Sequence, residues 1–266
     1  MMKHLKQFLK EDLGIDASFQ IVGDIIIISG PKSLEKEDAE RILEGSGTKT
    51  VCLKEGPISG KKREPKVTKV CGNGTETVHT ENGCRYMLDV TKVMFSKGNV
   101  NERSRPARLV KPGETVLDMF AGIGYFSIPI ARACPSCRVI SIDVNPVSIS
   151  YLTRNIRLNK LDNITAKVGD CRKMGLEDMA DRILMGYLPG TDRFLPAAFR
   201  ALKDRGVIHF HDVYRDEELW DRPLKILEAE AKKAGYRLEK VLHKGMVKQY
   251  GPRKQHIVID ALLIRA

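Results

Sequence analysis

Residues 115–124 read TVLDMFAGIG, and YFSIPIARA follows at 125–133. Val116 and Leu117, with Met119 and Phe120 beyond the acid, have the apolar character of a buried parallel strand that ends near Asp118. Gly122 and Gly124 then open a turn into an amphipathic helix. Glycine lacks a Cβ and tolerates positive φ, so a ligand can approach the backbone of such a turn. Open α/β sheets bind their ligands at the carboxyl ends of strands.

The next segments repeat the arrangement. VISIDVNP reads as a second strand closing on Asp143, and a third closes on Gly169-Asp170-Cys171. An acid about twenty residues after the first glycine turn suits the ribose hydroxyls of an adenosine. Three acids ending three strands fit a nucleoside with a sugar and an exocyclic amine better than a pyrophosphate. The turn Ala121-Gly122-Ile123-Gly124 also lacks the third glycine of a dinucleotide fingerprint. The plainer alternative is that these acids only cap the helices that follow them.

From 105 onward the periodicity predicts alternating strands and helices at 115–119, 124–134, 138–143, 146–159, 164–169, 181–185, 192–203, 206–211 and 216–234. Alternation of this kind calls for βαβ units and a parallel sheet. The end departs from it: RLEKVLHKGMVKQY and HIVIDALLIRA read as two strands joined through Gly251-Pro252, an antiparallel closing hairpin. The first hundred residues predict a helix at 3–13, a strand at 24–29, a helix at 34–44 capped by Ser33, a basic loop at 45–66 and a strand near 85–90. Two domains are therefore expected, a small α/β domain over 1–100 and a Rossmann-like domain over 101–266.

Composition narrows the partners. Lys and Arg number 45 against 34 acids, a formal charge of +11, which favours a polyanion. Lys61, Lys62 and Arg63 fall in one basic stretch, and Arg103, Arg105 and Arg108 in another. No apolar run is long enough for a membrane helix, and the first residues lack a signal-peptide core, so a soluble cytoplasmic protein is expected. Cys134-Pro-Ser-Cys137 has the gap of a zinc or redox pair, but no second pair exists. Two incidental thiols are expected there and no metal, a local disulfide being the alternative. His209 and His211 share a strand face without an evident carboxylate partner, which favours packing or substrate contact over metal.

The order and spacing of the three acidic motifs resemble the class I S-adenosylmethionine-dependent transferases. That resemblance implies that Asp118, Gly122 and Gly124 lie at the methionine part of the cofactor, Asp143 at its ribose, and Asp170 with Cys171 at its adenine. Together with FSKGNVNERSRPARLVKPGE at 95–114, the motifs resemble the family that modifies position 37 of transfer RNA. This family contains guanine-37 N1-methyltransferases and the aminocarboxypropyltransferases of wybutosine synthesis. In it, Ser96 and Arg103 match positions that touch the methionine end, Arg103 having as alternatives a tRNA phosphate or the developing charge on the base. The methyltransferases carry Asn-Leu-Pro after the fourth strand, where this chain has Gly186-Tyr187-Leu188-Pro189. Glycine in place of that asparagine resembles the aminocarboxypropyltransferase branch, with Gly186 and Tyr187 bordering the base. The resemblance implies S-adenosylmethionine as group donor and the anticodon loop of phenylalanine tRNA as substrate. It also implies transfer to carbon-7 of 4-demethylwyosine; from their charge, Lys61, Lys62 and Arg63 are expected on the RNA, a solvated basic face being the plainer alternative. A guanine-37 N1-methyltransferase and a non-catalytic tRNA-binding protein remain the alternatives, and no general base is assigned.

Overall fold

The computed structural model describes residues 2–57, 60 and 62–266. The chain divides into two compact units, Met1–Lys97 and Gly98–Ala266. Among the described residues, no helix is long and apolar enough to cross a membrane.

The first unit contains α1 (Met2–Glu11), β1 (Ser18–Val22), β2 (Ile25–Ser29), α2 (Lys36–Ser46), β3 (Thr50–Lys54), β4 (Val67–Gly72), β5 (Glu76–Glu81) and β6 (Cys84–Asp89). Its four-stranded sheet has the order β1-β2-β3-β4, with β2 and β3 parallel, and β5 and β6 form a separate hairpin. The isoleucine run of β2 is buried on both faces, and Ile26 and Ile28 join Leu9, Ile42 and Val51 in the core. Three expectations change here. Helix α2 begins later than expected, with Glu35 rather than Ser33 at its N-cap and no side-chain capping bond. The 45–66 segment is not all loop, because Thr50–Lys54 pairs with both β2 and β4. Strand β5 adds to the expected elements, and the Asn82-Gly83 turn that follows it has both residues at positive φ, as a two-residue hairpin requires.

The second unit opens with a short helix α3 (Val100–Ser104), then β7 (Thr115–Asp118), α4 (Ser127–Ala133), β8 (Arg138–Asp143), α5 (Pro146–Leu158) and β9 (Ile164–Val168). It continues with β10 (Ala180–Met185), α6 (Leu195–Ala201), β11 (Leu202–Arg215), α7 (Asp221–Lys233), β12 (Tyr236–Gly251) and β13 (Lys254–Arg265). The seven strands stand in the order β12-β13-β11-β10-β7-β8-β9. Strands β7 to β11 are parallel, and β13 runs antiparallel to both β11 and β12. The closing hairpin is thus as expected.

Successive residues serve opposite faces. Val116 and Leu184 pack with Ile130 and Val139, whereas Leu117, Ile183 and Met185 pack with Phe199 and Leu227 of α6 and α7. A sheet covered on both sides explains why its strands are apolar throughout. Because β8 and β10 both flank β7, the chain order reverses there. That reversal makes the carboxyl end of β7 the switch point where ligands settle in such sheets. Helix α4 starts only at Ser127, after a longer turn than expected, and β11 runs well past His211 to Arg215.

Candidate active site

The glycine turn after β7 is held from three directions. Beneath it, Asp118 is fully buried and accepts hydrogen bonds from Ser127 Oγ at 2.7 Å and Phe120 N at 3.4 Å. Ser141 Oγ donates to Ser127 Oγ at 2.8 Å and completes the chain. Burial pushes the Asp118 carboxyl up to about 7, against the Ser127 bond that favours its charged form. Asp118 is therefore a strut of the turn, its carboxyl enclosed beneath the backbone that the glycines open.

Asp143, at the end of β8, holds the turn from the side. Its two oxygens accept from Gly122 N and Asn145 N, each at 2.8 Å. Burial raises this carboxyl as well, opposed by those two amides. Asn155 of α5 donates to Ile123 O at 3.1 Å from the third direction. Gly122 and Gly124 adopt φ of 54° and 101°. A Cβ on Gly124 would lie 2.6 Å from Ile128 and 2.7 Å from Leu152, so its bareness also lets α4 and α5 pack over the turn.

Arg103 of α3 reaches the same turn. Its guanidinium is buried and lies 5.9 Å from the ring centroid of Tyr125, whose edge fills the space a Cβ on Gly122 would need. At the end of β9, Asp170 accepts from Arg172 N at 3.1 Å and from the Arg172 guanidinium. That guanidinium holds the Asp170 carboxyl down to about 2. Cys171 is buried, and burial pushes its thiol up to about 12.

The end of β10 adds an aromatic wall. Tyr187 lies 5.3 Å from Phe120 and 5.5 Å from Phe194, and Phe120 meets Phe194 edge-on at 4.7 Å. Arg193 sits over Tyr187 at 5.0 Å, and Arg172 over Phe194 at 4.8 Å. Gly186 has φ in the ordinary range, but a Cβ there would lie 3.2 Å from the Phe126 ring. The loop leaving Tyr187 is anchored by Asp212 of β11, which is buried and accepts from Gly190 N at 2.8 Å, Thr191 N at 2.9 Å and Asp192 N at 3.3 Å.

Sequence reasoning missed Asp212, Phe194 and Phe126. The signal for Asp212 was the same one that exposed Asp143, an acid near a strand's carboxyl end, but the strand was expected to stop one residue earlier. Ser96, Lys62 and Arg63 belong to the first unit, and Lys61 lies outside the described residues. His209 and His211 both meet carboxylates that the sequence did not reveal, Asp260 and Glu102. His209 bonds Asp260 at 2.7 Å and Arg182 at 2.8 Å, and His211 meets His256 at 3.1 Å. No group of three or more metal-ligating side chains occurs among the described residues. Cys134 and Cys137 are free thiols.

Residues 77–239 match the TRM5/TYW2 methyltransferase domain, and residues 1–75 match the TYW2 N-terminal domain. The tRNA(Phe) (4-demethylwyosine(37)-C(7)) aminocarboxypropyltransferase of Methanocaldococcus jannaschii is 41% identical over 91% of this chain and 96% of its own. The tRNA (guanine(37)-N(1))-methyltransferase Trm5b of Pyrococcus abyssi is 38% identical over 92% of this chain and 74% of its own. The crystal structure of Pyrococcus horikoshii TYW2 in complex with MeSAdo superposes with a TM-score of 0.87 at 34% identity, covering 100% of both chains. By sequence and by fold, this chain belongs to the TRM5/TYW2 family.

Proposed function

We propose that this chain transfers the 3-amino-3-carboxypropyl group of S-adenosylmethionine to carbon-7 of 4-demethylwyosine at position 37 of tRNA(Phe), releasing methylthioadenosine. One observation carries the reading: likeness at 41% identity to an enzyme of that activity, over 96% of its length. The methyltransferase relative is matched over only 74% of its own.

The residues at the switch point suit the donor. Asp143 would hold the ribose hydroxyls with the lone pairs left after its two amide bonds, beside the exposed side chain of Val144. Asp170 and Cys171 would flank the adenine. Arg103, buried next to the glycine turn, would hold the methionine carboxylate by charge-assisted bonds. Phe120, Tyr187 and Phe194 would offer stacking faces to the target base.

When bound, the donor supplies three electrophilic carbons on one sulfur, and alignment worth roughly 7–11 kcal/mol of the barrier selects among them. Gly186 supports selection of the longer group. It presents no amide to the base, and Phe126 occupies the side on which a side chain would grow. A ring-carbon nucleophile can release its proton after attack, so the bond-forming step itself requires no general base.

Lys62 and Arg63, with Lys61, would contact the RNA from the first unit. The six free thiols suit a reducing compartment, and we place the enzyme in the cytoplasm. The test is chromatography of the nucleoside released on incubation with donor and precursor tRNA. Methylthioadenosine is the expected product. S-adenosylhomocysteine would instead make the chain a methyltransferase, and tRNA binding without donor binding would make it a non-catalytic tRNA-binding protein.

A further inference from the structure

Strand β12 forms one margin of the large sheet, against β13. Strand β13 pairs with β11 in unbroken register, so its even-numbered residues share one face. Strand β12 is different. Its register shifts between Leu238 and Lys240, Val241 and His243, Met246 and Lys248, and Gln249 and Gly251. Each extra residue reverses the alternation of every side chain beyond it.

The shifts have one common result. Arg237, Lys240, His243 and Lys248 stand opposite Ile264, Leu262, Asp260 and His256, all even-numbered residues of β13. The four therefore line a single face, and Lys254 continues the column opposite Gly251. In an unbroken strand each member of the four would point away from the next. The opposite face carries Leu238 and Val241, packed on the core beneath α7. Arg237, Lys240 and His243 occupy successive rows about 6.6 Å apart, the scale of successive phosphates along a nucleic acid strand, and Lys248 follows after the bare row of Gly245.

The surroundings leave the column positive. Arg237, Lys240, His243 and Lys254 are exposed. Three acids beside the column are engaged: Glu239 with Arg205 at 3.1 Å, buried Asp260 with Arg105 and His209, and Asp216 with Gln255 at 2.9 Å. At its inner end, half-buried Lys248 lies close to Arg103, and burial together with that like charge lowers its ammonium below the ordinary lysine value.

We propose that this face of β12 carries the sugar-phosphate backbone of the tRNA substrate, its phosphates following the basic column toward Arg103. The proposal rests on the tRNA reading given above. The test compares R237Q/K240Q with K225Q/K232Q, which removes equal charge from exposed positions on α7, across the sheet. Binding of in vitro transcribed tRNA(Phe) is measured over a salt series, with donor affinity and thermal unfolding as controls for folding. Two lost phosphate contacts should flatten the plot of log affinity against log salt by about 1.4–1.8 for R237Q/K240Q. The slope of K225Q/K232Q should stay at the wild-type value. An unchanged slope in the first variant, or equal changes in both, overturns the proposal. Wild-type release of methylthioadenosine, read separately, tells whether only this surface or the whole tRNA reading has failed.

Discussion

Asp143 holds the backbone of the glycine turn, and in the proposed function the same carboxylate would also receive the ribose. Asp143→Ala should remove both, weakening donor binding by about 10- to 100-fold, the scale of lost hydrogen bonds to a charged group. Affinity for tRNA should remain near wild type, and calorimetry with each ligand checks the split. Gly186→Asn tests selection at the other wall. An asparagine Cβ would start 3.2 Å from Phe126, so the ring must give way before the amide can face the base. The expected outcome is at least a tenfold loss of aminocarboxypropyl transfer, measured as methylthioadenosine released per enzyme per minute. Asp143 was legible because its spacing from the glycine turn is a local property of the chain. Phe126 was not, because only the packing of α4 against the end of β10 brings it to Gly186.

Among the elements, the loop between β10 and α6 shows how an acid outside a motif can control one. Asp212→Ala would leave the amides of Gly190, Thr191 and Asp192 without their acceptor. A loss of about 1–3 kcal/mol of stability is expected, read by urea denaturation, together with a lower kcat as Tyr187 loses its fixed position. Strand β8 matched its expected limits, since an apolar run between a proline-containing turn and an Asn-Pro helix start leaves little choice. Strand β11 ran longer than expected, because Asp212 reads as a terminator when it is in fact buried and satisfied by the neighbouring loop. In the first unit, β3 was hidden for another reason. Five residues between glycine-rich and basic segments carry too little periodicity to stand out, and β3 is recognisable chiefly through its partners β2 and β4.

Across the second unit as a whole, a buried ionic network ties α3 to the sheet. Arg105 bonds Glu102 and Asp260, His209 bonds Asp260 and Arg182, and Arg182 bonds Glu114 at 2.9 Å. Arg182 can only donate to His209 Nε2, so His209 carries its proton on Nδ1 and gives that hydrogen to Asp260. Burial alone would raise the Asp260 carboxyl. The bonds from Arg105 and His209 outweigh burial and hold it well below its ordinary 3.8. Its folded value lies below its unfolded one, so its contribution to stability is present above pH 3.8 and is lost as pH falls through the folded value. Asp260→Asn should cost about 3–5 kcal/mol at neutral pH by leaving Arg105 without its full counter-charge. Its stability should also decline less steeply than wild type as pH falls below 3.8, a difference that urea midpoints from pH 4 downward would show.

The register breaks of β12 have one more consequence. A smooth margin sixteen residues long would act as a template on which a second chain could zip, the usual route from an open sheet to fibrous assembly. Here no straight run of that margin lasts more than a few residues, so a foreign strand would lose its ladder almost as soon as it began. The sheet's longest rim is thereby closed to its own copies.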